Sequence, residues 1–143
     1  MGLNEFLAGN DRIDDVQIVS FTRGQPNFAV LIGPDGRQIR IFTEMRDVGE
    51  RLELGILKLG AVPPDFSQGE IETVPGGRVL LFEYLAAPGF DFVSGVRIRL
   101  DGGDLIILAA DMPYSVFVSL GAVERGRPEY PIDDYRTVRP AAE

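Results

Sequence analysis

Residues 96–108 read VRIRLDGGDLIIL, and this stretch decides the fold class. Val96, Ile98 and Leu100 alternate with two arginines, which is the period of a strand with one apolar and one polar face. The sequence DGGD at 101–104 has the residues that tight turns require, and a second apolar run follows it. The stretch therefore predicts an antiparallel hairpin.

A second hairpin is predicted at residues 28–41. The apolar run 28–32 leads into the turn sequence GPDG, and Ile39 and Ile41 alternate with polar residues beyond it. Its Asp-Gly turn and apolar positions match those of the 96–108 hairpin at a constant offset of 66 residues. Two interpretations remain open, an internal duplication or two ordinary Asp-Gly hairpins.

Two segments have helical spacing. Apolar residues at 3, 6 and 7, followed by a glycine, predict a short N-terminal helix. Residues 47–59 are ambiguous, because an acidic pair at 47 and 50 resembles a capping box whereas two glycines disfavour a helix interior. Apolar residues also recur there at helical intervals, so we predict a helix and keep a strand as the alternative.

Turn residues recur at short intervals from Glu70 onward, between apolar runs of strand length. The whole pattern predicts a mainly β protein: an antiparallel barrel or sandwich of seven to nine short strands, with one or two short helices, in a single domain over residues 1–143. The apolar positions that keep strand phase form the predicted core: Val30, Ile32, Ile39, Ile41, Leu81, Val96, Ile98, Leu105, Ile107, Val116 and Val118.

The chain is acidic, with 22 Asp and Glu against 14 Lys and Arg and a net charge of −8. The excess is spread along the sequence, so it repels the phosphates of nucleic acids and anionic membranes and suits a partner protein with a basic surface. The charge therefore predicts no nucleic-acid or membrane partner. No secretory signal or apolar run of membrane-spanning length is visible, which predicts a cytoplasmic protein. Thirteen arginines against a single lysine favour a bacterial origin.

The residue types that are missing exclude several chemistries. The chain has no Cys, His or Trp, which removes disulfides, cysteine nucleophiles, His-based triads and zinc sites that need Cys or His. It also has no glycine-rich phosphate-binding motif. Its acidic clusters, such as residues 11–15 and 101–104, are typical of solvated turns. We therefore predict no cofactor, no metal site and no catalytic residue.

Four charged residues are the candidate binding residues. Glu83 lies in the apolar run VLLFEYL at 79–85, where a carboxylate needs a charged partner, a proton or solvent. Arg97 and Arg99, on the next predicted strand, are the expected partners, since opposite charges support antiparallel pairing. Arg40 would join them in a small basic patch if the two hairpins lay side by side. The solvated outer face of a strand is the alternative for all three arginines.

Three classes of function remain. The first is a non-catalytic, acidic protein-interaction module of the bacterial cytoplasm, which needs only a rigid sheet face and charge complementarity. The second is a β-barrel that binds a small ligand, with Glu83 as a polar anchor. The third is a carboxylate-dependent enzyme, because two acidic residues alone can hydrolyse glycosides. The sequence favours the first class, then the second.

Overall fold

A computed structural model describes residues 2–8, 11–49, 52–62 and 69–139 of the chain, with the backbone alone at 52 and 53. This part of the chain contains one α-helix, ten β-strands and one turn of 3-10 helix. In chain order they are α1 (Leu3–Phe6), β1 (Arg12–Ser20), β2 (Phe28–Ile32), β3 (Gln38–Gly49), β4 (Leu52–Gly60), β5 (Glu70–Ala86), β6 (Gly95–Leu100), β7 (Gly103–Ala109), β8 (Val116–Leu120), β9 (Val123–Arg125), the 3-10 turn (Ile132–Asp134) and β10 (Arg136–Val138).

The ten strands belong to one antiparallel sheet, which is not closed over the residues described. Their order is β4-β3-β2-β1-β5-β6-β7-β8-β9, and β10 pairs with the end of β5. β5 belongs to both parts of this sheet, because its first residues pair with β1 and its last residues pair with β6 and β10. We call β1–β4 with the start of β5 the first half, and the end of β5 with β6–β10 the second half.

The two halves face each other and share one apolar core. β2 contacts β8, and both β3 and β4 contact β7. The buried residues of this shared core are Leu3, Phe6, Ile13, Val16, Ile18, Ala29, Leu31, Ile39, Ile41, Leu57, Tyr84, Val96, Ile98, Leu100, Leu105, Ile107, Val116, Val118 and Leu120. Burial of a large apolar side chain contributes about 1.5–3 kcal/mol to stability, so this core is the main force that holds the two halves together.

β5 passes from one half to the other at two glycines. It has 17 residues, which is longer than most strands. A Cβ atom at Gly76 would overlap the carbonyl oxygen of Ile13, and one at Gly77 would lie 2.6 Å from Asp101 Oδ1. Glycine therefore lets β1 and the β6–β7 turn approach β5 closely at the point where the strand changes partners.

The helix predicted at residues 47–59 is wrong, whereas the one predicted at 3–7 is confirmed as α1. β3 continues to Gly49, β4 starts at Leu52, and the two strands pair along their length. The Asp47 carboxylate accepts a hydrogen bond from the Gly49 N–H at 2.9 Å, so it supports the register shift at the end of β3 instead of capping a helix. Gly49 has a φ of 98°, a conformation that an L side chain rarely adopts.

The predicted fold class is confirmed, but the predicted number of strands is corrected. The protein is mainly β and antiparallel, but it has ten strands instead of seven to nine. The sheet is not closed over the described residues, so the barrel, one of the two predicted architectures, is not confirmed. Eight of the predicted core residues do lie in the shared core: Ile39, Ile41, Val96, Ile98, Leu105, Ile107, Val116 and Val118.

Three predicted core residues lie elsewhere. Leu81 is 46% exposed, because the pairing of β5 with β6 shifts register between Val79 and Leu81. Val30 is buried and Ile32 is half-buried, but both pack in a separate cluster on the outer face of the first half. Their strand is buried on both faces, so the apolar run 28–32 did not reveal which face points to the core.

The repeat at an offset of 66 residues holds in the second strand of each hairpin, where Ile39, Ile41, Leu105 and Ile107 all face the shared core, but not in the first strand. Val96 and Ile98 face the shared core, whereas their counterparts Val30 and Ile32 face the outer cluster. β2 instead directs Ala29 and Leu31 into the shared core. Because a one-residue difference in phase turns a strand's side chains to the opposite face, the structure favours two separate Asp-Gly hairpins over a residue-by-residue duplication.

Candidate functional site

Glu83 forms the ion pair that the sequence predicts. It lies directly opposite Arg97 in the pairing of β5 with β6, and its Oε1 accepts a hydrogen bond from Arg97 Nη1 at 3.0 Å. Its Oε2 accepts a second hydrogen bond from the Thr137 hydroxyl of β10 at 2.9 Å. The side chains of Arg97 and Glu83 are 27% and 26% exposed. Glu83 therefore connects β10 to β5 and β6.

Arg97 and Arg99 share a second carboxylate. Arg97 Nε lies 3.9 Å from Asp104 Oδ2, and Arg99 Nε donates a hydrogen bond to Asp104 Oδ1 at 3.3 Å. Glu83, Asp104 and the two arginines thus form one charged network on the outer face of the second half. Because both guanidinium groups have carboxylate partners, this network is not a free basic patch.

Arg40 lies on the outer face of the first half, away from that network. Its guanidinium carbon lies 3.9 Å from the ring centroid of Phe42 and 5.4 Å from that of Phe28, which is the geometry of a cation–π contact. Burial lowers the pKa of Arg40. The structure therefore does not bring Arg40 together with Arg97 and Arg99, and the predicted basic patch does not form.

The C-terminal tail packs on the outer face of the second half. Ile132 and Tyr135 of the tail cover an apolar cluster of three buried strand residues, Leu85, Leu108 and Phe117. Burial raises the pKa of Tyr135 to about 12. The tail is therefore held on this face by apolar contacts and by the Glu83–Thr137 hydrogen bond.

A surface that the sequence analysis missed lies where the β1–β2 loop, the start of β5 and the β7–β8 loop come together. Among the described residues, six large apolar side chains are exposed, and four of them lie on these segments. The four are Phe21 (55% exposed), Ile71 (40%), Met112 (46%) and Tyr114 (61%), and we call them the loop surface. Large exposed apolar patches are typical of interaction sites.

Asn27 joins the two loops of this surface. Its Oδ1 accepts a hydrogen bond from the Phe21 N–H at 2.9 Å, and its Nδ2 donates one to the Tyr114 carbonyl oxygen at 3.4 Å. The Val116 N–H also donates to the Pro26 carbonyl oxygen at 2.8 Å. These bonds set the position of Phe21 relative to Tyr114, although the two residues are far apart in the sequence.

The β7–β8 loop has an unusual conformation. Tyr114 has a φ of 57°, which costs a residue with a side chain about 1–2 kcal/mol. The Ser115 hydroxyl donates a hydrogen bond to the Met112 carbonyl oxygen, and the Ala110 N–H donates one to the Ser115 carbonyl oxygen. The loop is therefore held in a shape that exposes Met112 and Tyr114, and such strain is typical of functional segments.

Two cavities flank the β1–β2 loop. The larger has a volume of about 570 Å³ and lies between the first half and β9. Arg125 of β9 bridges its walls, because Nε and Nη2 of Arg125 donate to the two carboxylate oxygens of Glu72 at 2.8 and 2.9 Å. The smaller cavity, of about 340 Å³, lies between the β1–β2 and β7–β8 loops. Both open beside the loop surface, since Ile71 lines the first and Met112 the second.

Two acidic residues, Asp111 and Glu129, lie near this surface. Burial and the nearby Asp111 raise the pKa of Glu129, which is a feature of acid–base sites. However, Asp111 lines the smaller cavity and Glu129 does not. In the described part of the chain, no three Asp or Glu side chains come together as a metal site would require.

Neither α1 nor any other helix of the residues described could cross a membrane, because none is long and apolar enough. Comparison with known proteins found no matching family model, no matching curated protein and no matching solved structure. Fold and site together define an antiparallel β protein with an exposed apolar surface built from two joined loops.

Proposed function

We propose that this chain is a non-catalytic protein-interaction module and that its partner binds the loop surface. The proposal rests on one observation: four exposed large apolar side chains lie on the start of β5 and on two loops that Asn27 joins. Aromatic side chains such as Phe21 and Tyr114 contribute most of the binding free energy at many protein interfaces. A loop whose shape is already fixed also loses little conformational entropy when a partner binds.

The charge around this surface favours a partner with a basic rim. Glu70, Asp111 and Glu124 are exposed beside the loop surface, and Arg23 and Arg127 offset part of their charge. The chain as a whole has a net charge of −8, which would attract a basic protein and increase its rate of association. A setting in the bacterial cytoplasm remains a prediction from composition.

The other two classes of function have less support. Core side chains fill the space between the two halves, and Glu83 lies on the outer face, where it could not anchor a ligand held in that space. Glu72 and Glu83 are two carboxylates that an enzyme could use as acid or base, yet each is bound to an arginine. An interaction module requires neither an internal cavity nor a free carboxylate pair.

Site-specific photo-crosslinking tests the proposal. Benzoylphenylalanine in place of Tyr114 should crosslink a basic protein in cells that produce this chain. The same group in place of Leu80, which is 52% exposed and lies outside the loop surface, should not. Equal crosslinking from both positions would overturn the proposal.

A second measurement uses the purified complex. The double variant Phe21→Ser, Tyr114→Ser should bind the captured partner at least tenfold more weakly, because it loses two aromatic contacts. Leu80→Ser is the matched control and should bind as the parent chain does. Equal thermal midpoints of the two variants would show that folding is intact, and full affinity of the double variant would contradict the proposal.

A further inference from the structure

β5 is paired on only one edge along its first residues. Between Glu70 and Gly77 its partner is β1, and β6 begins to pair only at Val79. On the β1 side, the Val79 N–H donates a hydrogen bond to the Asp11 carbonyl oxygen. On the β6 side, the Arg78 carbonyl oxygen accepts one from the Asp101 N–H. The side chains of Val74 and Val79 both pack on the shared core, so the alternation of N–H and C=O groups changes phase at residues 75–77. The N–H and C=O groups of Val74 therefore face β1, as those of Val79 do, and those of Ile71 and Thr73 point to the β6 side. No strand within the described ranges pairs with β5 there.

This free edge has a defined length. It begins at Glu70, where β5 begins, and it ends at Pro75, Gly76 and Gly77, where the strand bends towards the second half. At about 3.4 Å per residue, the five residues from 70 to 74 offer roughly 17 Å of unpaired backbone. Open edges of this kind accept an extended segment of another chain through main-chain hydrogen bonds.

The larger cavity lies beside this edge. Its lining includes Ile18, Pro26 and Ile71 as apolar groups, and Glu70 and Glu72 as acidic groups. Alternate side chains of an added strand would point towards the volume of about 570 Å³ that these residues enclose. The edge thus offers both a backbone to pair with and a place for the side chains of the added segment.

The acidic groups on the edge are spaced for basic residues. Glu70 and Glu72 are two residues apart, so their side chains lie on the same face of β5. Arg125 already binds Glu72 through Nε and Nη2 at 2.8 and 2.9 Å, which shows that this carboxylate accepts a guanidinium group in bidentate geometry. In an extended segment, basic residues at every second position would match this spacing.

We propose that an extended segment of the partner protein, with basic residues at alternate positions, adds to the sheet as a strand along residues 70–74 of β5. One of its basic side chains pairs with Glu70, and another displaces Arg125 from Glu72. The inference rests on the proposed function and names the class of partner segment. The loop surface, with Ile71 on the same strand, then contacts the rest of the partner.

Titration with a synthetic peptide tests this inference. The probe is a capped eight-residue peptide of alternating arginine and valine, added to the isotopically labelled full chain. Saturable changes in amide chemical shift should centre on Glu70–Val74, and the amides of β4, the terminal strand of the first half, should not respond. A response centred on β4, or spread evenly over the acidic surface, would overturn the inference.

A matched peptide separates strand addition from simple charge attraction. The same sequence with a methyl group on every second backbone nitrogen keeps its charge but loses its donors along one edge. Two such peptides, one methylated on each edge, should differ, and one of them should bind at least tenfold more weakly than the unmethylated peptide. Equal binding by all three peptides would show that charge alone accounts for the interaction and would contradict strand addition.

Variants of this chain complete the test. Glu70→Gln should weaken binding of the peptide at least tenfold, and Glu44→Gln on β3 should leave it unchanged. Arg125→Ala should tighten binding of the peptide severalfold, because it removes the internal competitor for Glu72. If Arg125 has only a structural role, the variant should bind the peptide with the same affinity as the parent chain or with a lower one. If Tyr114 crosslinks a partner but the peptide does not bind, this inference fails alone. If the peptide binds but Tyr114 crosslinks nothing, the loop surface fails and the strand site stands.

Discussion

Glu83 connects three strands through its two carboxylate oxygens. It belongs to β5, and it accepts hydrogen bonds from Arg97 of β6 and Thr137 of β10. These two donors replace the water that a carboxylate loses when it lies beside apolar neighbours. An acidic residue can therefore occupy the apolar run at 79–85 without a catalytic role.

Replacement of Glu83 by glutamine should lower the free energy of unfolding by about 1 kcal/mol, because the ion pair is partly exposed and its Coulomb energy is reduced by solvent. Urea denaturation of Glu83→Gln measures the change. Glu44→Gln is the control, since Glu44 lies 3.9 Å from Lys58 with both side chains exposed, and it should change stability by less than about 0.5 kcal/mol. Equal effects of the two substitutions would contradict a special role for Glu83.

Tyr135 should ionise at a higher pH than a free tyrosine. Burial raises its pKa from 10.0 to about 12, so the folded state prefers the neutral phenol. This contribution to stability is fully present below pH 10 and is lost as the pH rises towards 12. A titration followed by phenolate absorbance should show one late transition that is missing in Tyr135→Phe.

At neutral pH the Tyr135→Phe variant should be about as stable as the parent chain. The Tyr135 hydroxyl is buried and has no hydrogen-bond partner within the described residues, so its removal leaves no other group unsatisfied. An early transition for Tyr135, or a large loss of stability in Tyr135→Phe at neutral pH, would show that the tail does not pack on the sheet as described.

Among the elements, β4 is the one whose observed structure differs most from what its local sequence predicts. Its apolar residues recur at intervals that suit a helix as well as a strand, and the choice depends on contacts with distant strands. The Leu57 N–H donates to the Val93 carbonyl oxygen at 2.9 Å, and a Cβ atom at Gly55 would lie 2.7 Å from Ala109 Cβ. These contacts exist only if residues 52–60 are extended along β3 and face β7.

Gly55→Ala distinguishes the strand from the helix at this position. In a helix the substitution would stabilise the protein by about 1 kcal/mol. In β4 it should destabilise by about 1–3 kcal/mol, because the new methyl group meets Ala109. Thermal or urea denaturation gives the sign, and Gly102→Ala, where nothing lies within 4 Å, is the control with a small expected effect. A stabilised Gly55→Ala protein would refute the assignment of β4.

At the scale of the whole molecule, the shared core makes the two halves of the open sheet depend on each other. Ile41 of the first half and Ile107 of the second half belong to the same buried cluster. The apolar face of either half would be exposed to water if the other half unfolded. We therefore expect the two halves to unfold together.

Truncation in either half should shift the same unfolding transition. Ile41→Ala and Ile107→Ala should each cost about 2–5 kcal/mol, and both variants should still unfold in one cooperative step. Near-ultraviolet and far-ultraviolet circular dichroism should give coincident curves against urea. Two separate transitions in either variant would mean that each half has a core of its own.

The sequence by itself determined the features that depend on neighbouring residues. Period-two alternation and Asp-Gly turns predict the hairpins at 28–41 and 96–108, and local spacing predicts α1. The pairing of Glu83 with Arg97 was also predictable, because both lie on strands that follow each other in the chain. A carboxylate in an apolar run is a strong signal that a charged partner is close.

Only the tertiary structure decided the features that depend on distant residues. Contacts of β4 with Val93 and Ala109 select a strand where local spacing favours a helix. The two halves face each other across the core, so their outer faces point in different directions. Arg40, on the outer face of the first half, therefore lies away from Arg97, on the outer face of the second half. The loop surface is assembled when Asn27 joins Phe21 to Tyr114. No local pattern encodes such sites, because each segment alone reads as an ordinary turn and the two meet only after the sheet has folded over its core.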